Sequence, residues 1–103
     1  MALDPLTQRI TRRIAEAIGP KQIYLFGSRL RGDATSDSDI DLAVVYEGPM
    51  CKRQVKLAIH ALFPRPDFSL DILVMTPKEL ETNRHVANTL AREVTEHGLP
   101  CYG

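Results

Sequence analysis

Residues 22–46 read QIYLFGSRLRGDATSDSDIDLAVVY, and the punctuation of this stretch sets the architecture. Gln22 to Phe26 is a short β-rich run closed by Gly27, and Asp39 to Tyr46 is a second one, with a polar, turn-rich segment between them. Two strands on either side of a glycine loop are therefore predicted. Toward the N-terminus, Asp4 and Pro5 form a helix-start signal, and Leu6, Ile10, Ile14 and Ile18 recur every four residues until Gly19 and Pro20 stop the pattern. Toward the C-terminus, Val55, Ala58, Ile59 and Leu62 line one side of a second helix, which follows the Gly48-Pro49 break and ends before Pro64 and Pro66. Phe68 to Met75 reads as a third strand. Thr76-Pro77-Lys78-Glu79 is a capping box with proline at the first helical position, so a helix opens there. Its continuation places Val86, Leu90 and Val94 at four-residue spacing up to Gly98. The closing LPCYG is too short to assign. The order helix, strand, strand, helix, strand, helix predicts an α+β fold, a small mixed β-sheet flanked by helices.

The 103 residues are the length of one domain, spanning 1–103, and 44% hydrophobic with 25% charged is an ordinary globular balance. Thirteen Lys and Arg cancel thirteen Asp and Glu. With no overall positive field, strong nucleic-acid binding is not expected, and any polyanion must be gripped locally. Arg9, Arg12 and Arg13 on the outer side of the first helix read as a solvated face. Cys51 and Cys101 lie far apart with no Cys-x-x-Cys spacing, which points to two reduced thiols rather than a zinc knuckle or a disulfide framework. No apolar run reaches the length of a membrane span, and MALDPLTQRI has neither a basic nor an apolar leader region, so a cytoplasmic protein is expected.

The chemistry lies where carboxylates interrupt apolar strands. Asp39 and Asp41 open the run DIDLAVV, and Asp71 sits within SLDILV. Such groups are costly to bury unless a partner neutralises them. Strand alternation puts Asp39 and Asp41 on one face, two residues apart. The second and third strands are joined through a helix, so a parallel crossover is expected, and pairing Asp41 with Asp71 would gather all three acids at one end of the sheet. Neither strand holds an Arg or Lys, which makes a hard divalent cation, Mg²⁺ first, the natural counter-charge. The plain alternative is that these aspartates cap turns or strand ends and face water; it suits Asp37 and Asp39 better than Asp71.

The loop Gly27-Ser28-Arg29-Leu30-Arg31-Gly32 follows the first strand. Gly27 lets the backbone approach a phosphate closely, the Ser28 hydroxyl can donate to a phosphate oxygen, and Arg29 or Arg31 can add a charge-assisted bond. If the first two strands are antiparallel neighbours, this loop leaves the sheet beside the carboxylates. Gly27 to Gly32 also fits G-x-x-x-x-G, but Asp33-Ala34 stands where a P-loop requires Lys-Ser/Thr.

The span Gly27-Ser28, ten residues, then Asp39-Ile40-Asp41, with Asp71 in a later apolar strand, closely resembles the DNA polymerase β-type nucleotidyltransferase superfamily. Within it, FGSRLRGDATSDSDIDLAVV is similar to the minimal nucleotidyltransferases, often the antitoxin half of a pair with a helical HEPN toxin. The resemblance implies a polymerase β-like fold and an Mg²⁺-dependent nucleotidyltransferase that moves AMP from ATP to a hydroxyl, a tyrosine of a HEPN partner. By the same resemblance, Asp39, Asp41 and Asp71 would be catalytic and hold two Mg²⁺ ions, while Gly27, Ser28 and Arg29 would bind the nucleotide. Leu30 stands where related sequences often carry a smaller residue. The chain is too short to add a dedicated acceptor pocket to the triphosphate site, so the acceptor is expected on another protein. Two alternatives stand beside this reading: a catalytically idle module that neutralises its partner by occlusion, and an aminoglycoside-type small-molecule transferase that would need a second subunit to form its pocket. The single histidines His60, His85 and His97, and Tyr24, Tyr46 and Tyr102, read as surface or packing residues.

Overall fold

In the computed structural model, residues 5–26, 40–64, 69–83, 86 and 98–102 are described. Helix α1 runs Pro5–Ile18, strand β1 Gln22–Phe26, β2 Ile40–Val45, helix α2 Lys52–Ala61, β3 Leu70–Met75, α3 Pro77–Asn83 and β4 Leu99–Tyr102. The four strands form one mixed sheet in the order β3-β2-β1-β4. β1 pairs antiparallel with both β2 and β4, and β2 pairs parallel with β3, the crossover through α2 that the chain order predicts.

β2 occupies the centre because its side chains are apolar on both faces. Ile40, Leu42 and Val44 turn toward α1 and α2, where they meet Ile10, Ile14, Val55 and Ile59; all seven are at most 1% exposed. Ala43 and Val45 turn the other way, toward Met75 and Leu80, with Tyr24, Phe26 and Leu73 packed against them. Two cores on opposite faces of one sheet follow from strand alternation. The buried stripe of α1 is Thr7, Ile10, Thr11 and Ile14, while Leu6 and Ile18 are only half-buried. Thr11 tolerates burial because its hydroxyl donates to the Thr7 carbonyl at 3.0 Å. α1 stops at Gly19, whose φ of 66° suits glycine alone, and the Gly19 N–H donates to Ala15 O.

The segment 99–103, too short to read from sequence, supplies β4. Leu99 and Cys101 are half-buried while Pro100 and Tyr102 are exposed, an alternation only four residues long that becomes a strand because the free edge of β1 receives it. Burial pushes the Cys101 thiol up to about 11, so it stays protonated at neutral pH.

The capping box at α3 forms as predicted. Thr76 Oγ1 accepts from the Glu79 N–H at 3.1 Å, and Glu79 Oε1 accepts from the Thr76 N–H at 3.0 Å. The spacing also placed Val86 on the continuation of this helix, where the structure differs. The helix ends at Asn83, whose side-chain amide donates to Glu79 O, and Val86 lies in a bend, 49% exposed. Leu90, Val94, His85 and His97 lie outside the described residues.

Thr76→Ala should lower stability by about 1 kcal/mol, read as a reduced urea midpoint at unchanged slope. Lys52, which donates to Glu79, together with the Thr76 N–H, holds the Glu79 carboxyl below the usual carboxylate range. Ionised Glu79 therefore stabilises the fold, fully above its unfolded pKa and progressively less as pH falls through the lowered value. Glu79→Gln should cost stability at neutral pH, and the difference from the unsubstituted protein should close in acid.

Candidate active site

The parallel register of β2 and β3 pairs Asp41 with Asp71. Neighbouring strands are about 4.8 Å apart, so two carboxylates in register on one face are adjacent. Ile40, Leu42 and Ile72 flank them and are buried on the opposite face, toward α1 and α2, which leaves Asp41 and Asp71 on the face of Ala43, Val45 and Met75. Asp41 is half-buried and Asp71 exposed. Both lie in the first two residues of their strands, where the sheet opens at its edge.

The antiparallel register of β1 and β2 pairs Phe26 with Asp41. The chain thus leaves β1 beside the carboxylate pair, as the loop argument requires. Phe26, half-buried on the same face, is an apolar wall that sequence reading did not single out; its signal was its place as the last residue of a β run before Gly27. Asp39, one residue before β2, and Gly27, Ser28 and Arg29 lie outside the described residues.

Two parallel strands that aim carboxylates from the same register position offer hard oxygen donors at close range. That donor set fits Mg²⁺. Among the described residues no group of three His, Cys, Asp or Glu is gathered, so Asp41 and Asp71 form a pair to which the position of Asp39 would add the third acid. Like charges directly opposite one another across two strands destabilise a sheet. A site that keeps them in register is set up to receive positive charge.

Two cavities lined by described residues lie away from this pair. One, of about 570 Å³, runs between α1 and β4 and is lined by Thr11, Arg12, Glu16 and Tyr102. The other, of about 500 Å³, sits at the far ends of β2 and β3 between Tyr46, Met50, Cys51 and Val74. Neither presents paired acids. His60 is exposed, Tyr46 buried, Tyr24 half-buried and Tyr102 44% exposed.

No described helix is long and apolar enough to cross a membrane. No curated protein matches the chain. Among solved structures, a candidate nucleotidyltransferase from Sulfolobus solfataricus is 28% identical, with a TM-score of 0.55 over 75% of this chain and 69% of that one. A toxin–antitoxin solved with AMP-PNP is 27% identical, with a TM-score of 0.59 over 93% of this chain and 73% of that one. The profile of the nucleotidyltransferase domain family matches residues 8–98, nearly the whole length, and includes both register-paired aspartates. Fold, sheet register and profile agree: the chain belongs to the nucleotidyltransferase domain family and is a nucleotidyltransferase.

Proposed function

We propose that this protein transfers AMP from ATP to a hydroxyl on a partner protein, a tyrosine of a HEPN toxin, and acts as its antitoxin in the cytoplasm. The observation that carries the reading is the pairing of Asp41 with Asp71 beside the point where the chain leaves β1. The likeness to a toxin–antitoxin solved with AMP-PNP supports both the nucleotide and the class of partner.

Asp39, Asp41 and Asp71 are the residues that would hold Mg²⁺, which when bound supplies positive charge to the triphosphate oxygens. Gly27, Ser28 and Arg29 follow β1 and bind the β- and γ-phosphates through backbone N–H, hydroxyl and guanidinium donors. Asp71, the more exposed acid, accepts the proton of the incoming hydroxyl. The hydroxyl oxygen forms a bond to the α-phosphorus, the bond from that phosphorus to the oxygen bridging to the β-phosphate breaks, and pyrophosphate departs with the bonding pair. Positioning and charge account for most of such catalysis.

The test is to incubate the protein with ATP labelled at the α-phosphate, Mg²⁺ and the product of the neighbouring gene. The expected result is label on a tyrosine of that product, abolished by EDTA. Stable association without label would assign the protein instead to neutralisation by occlusion. Labelling of an aminoglycoside by the protein alone would assign it to small-molecule transfer.

A further inference from the structure

The neutral total of charge conceals a segregation that the fold makes spatial. α1 and α2 together hold Arg9, Arg12, Arg13, Lys52, Arg53 and Lys56, six of the thirteen cations, and a single acid, Glu16. The two helices are thus five charges positive, and the rest of the chain is five charges negative. At 3.6 residues per turn, Arg9, Arg12 and Arg13 lie on the side of α1 away from Thr7, Ile10, Thr11 and Ile14. Arg53, Lys56 and His60 lie on the side of α2 away from Val55 and Ile59. Both helices cover the same face of the sheet, and Arg13 Nε donates to Leu62 O at 3.2 Å, which ties one helix to the end of the other. Lys52 is paired with Glu79, leaving five exposed cations on the outer sides of two adjoining helices.

We propose that this surface of α1 and α2 binds the phosphate backbone of a nucleic-acid duplex, on the opposite side of the sheet from Asp41 and Asp71. The acceptor and nucleotide chemistry of the carboxylate face is not involved. Four of the five exposed cations are arginine, whose planar fork matches phosphate oxygens. Among the described residues, the acids Asp41, Asp71, Glu79 and Glu81 lie on β2, β3 and α3, whose Leu80 packs on the other face, so the positive potential of the helices is not cancelled on their own side. A protein interface needs an apolar centre with large anchors, whereas Leu57 is the sole large apolar side chain exposed on the described part of this surface. A single strand would need aromatic platforms for its bases, and the described residues of α1 and α2 include no Phe, Tyr or Trp. A duplex presents only phosphates and demands only cations.

The test is fluorescence anisotropy of a labelled DNA duplex of about 20 base pairs across a salt series. With four to five phosphate contacts, affinity should fall about a hundredfold or more between about 50 and 200 mM salt. The variant Arg9→Gln/Arg12→Gln/Arg53→Gln/Lys56→Gln, which keeps helix propensity, should lose binding at the lowest salt, while Lys78→Gln should match the unsubstituted protein. If the fourfold variant fails to fold, Arg53→Gln/Lys56→Gln should still reduce the slope of log affinity against log salt by about two. No duplex binding at low salt, or binding equally strong in the folded variants, overturns the proposal. Binding of poly-glutamate with no binding of duplex also overturns it and assigns the surface to an acidic protein.

Discussion

Asp41→Asn is expected to reduce nucleotidyl transfer by about a thousandfold while leaving the protein folded. The substitution removes one of the two acids that the β2–β3 register brings together, at an end of the sheet rather than within either core. Differential scanning fluorimetry separates the two consequences. In the unsubstituted protein, Mg²⁺ with ATP should raise the melting temperature by mass action, because only the folded state gathers the acids. In Asp41→Asn that rise should disappear. Asp71→Asn should lose it as well. A collapse of the metal-free melting temperature in Asp41→Asn would show that this carboxylate supports the fold rather than a ligand, and would remove the basis for the active site.

The centre of the sheet was legible because its signals are local and redundant. IDLAVV is apolar on both alternating faces, Gly27 and Gly48-Pro49 punctuate the runs around it, and the intervening helix α2 forces a parallel return. From those facts alone the pairing of Asp41 with Asp71 could be anticipated, and the register delivers it. The periphery was harder. β4 is a strand because β1 has an edge to offer, a cause that lies many residues away from Leu99–Tyr102 and leaves no mark within four residues interrupted by Pro100. α3 ends at Asn83, and Val86 bonds back to Asn83 O in a bend, a turn that apolar spacing at Val86 does not register. In α1 the four-residue repeat of Leu6, Ile10, Ile14 and Ile18 located the helix and its core side, but not the buried Thr7 and Thr11, of which Thr11 satisfies its hydroxyl on the Thr7 carbonyl. The separation of positive from negative charge is likewise invisible in a neutral total. It arises only when α1 and α2 are laid on one face and the aspartates on the other.

Leu42→Ala should produce the converse of the aspartate substitution, a large loss of stability with the chemistry intact. Leu42 is 0% exposed and stands at the middle of the sheet, paired with Leu25 on one side and Ile72 on the other, beneath the helical layer. Truncation there removes buried methyl groups and leaves a cavity that three strands and two helices cannot close together. The expected cost is about 2–5 kcal/mol, a large share of the about 5–15 kcal/mol that holds a domain of this kind folded. The melting temperature should fall by about 10–20 °C. Yet Leu42 points away from the carboxylate face, and the backbone ladders on both sides of it set the register of the neighbouring Asp41. Label transfer measured well below the lowered melting temperature should therefore match that of the unsubstituted protein. If activity is lost while the variant is still folded, packing on the helical face controls the geometry of the acids on the other, and the two sides of β2 act as one unit.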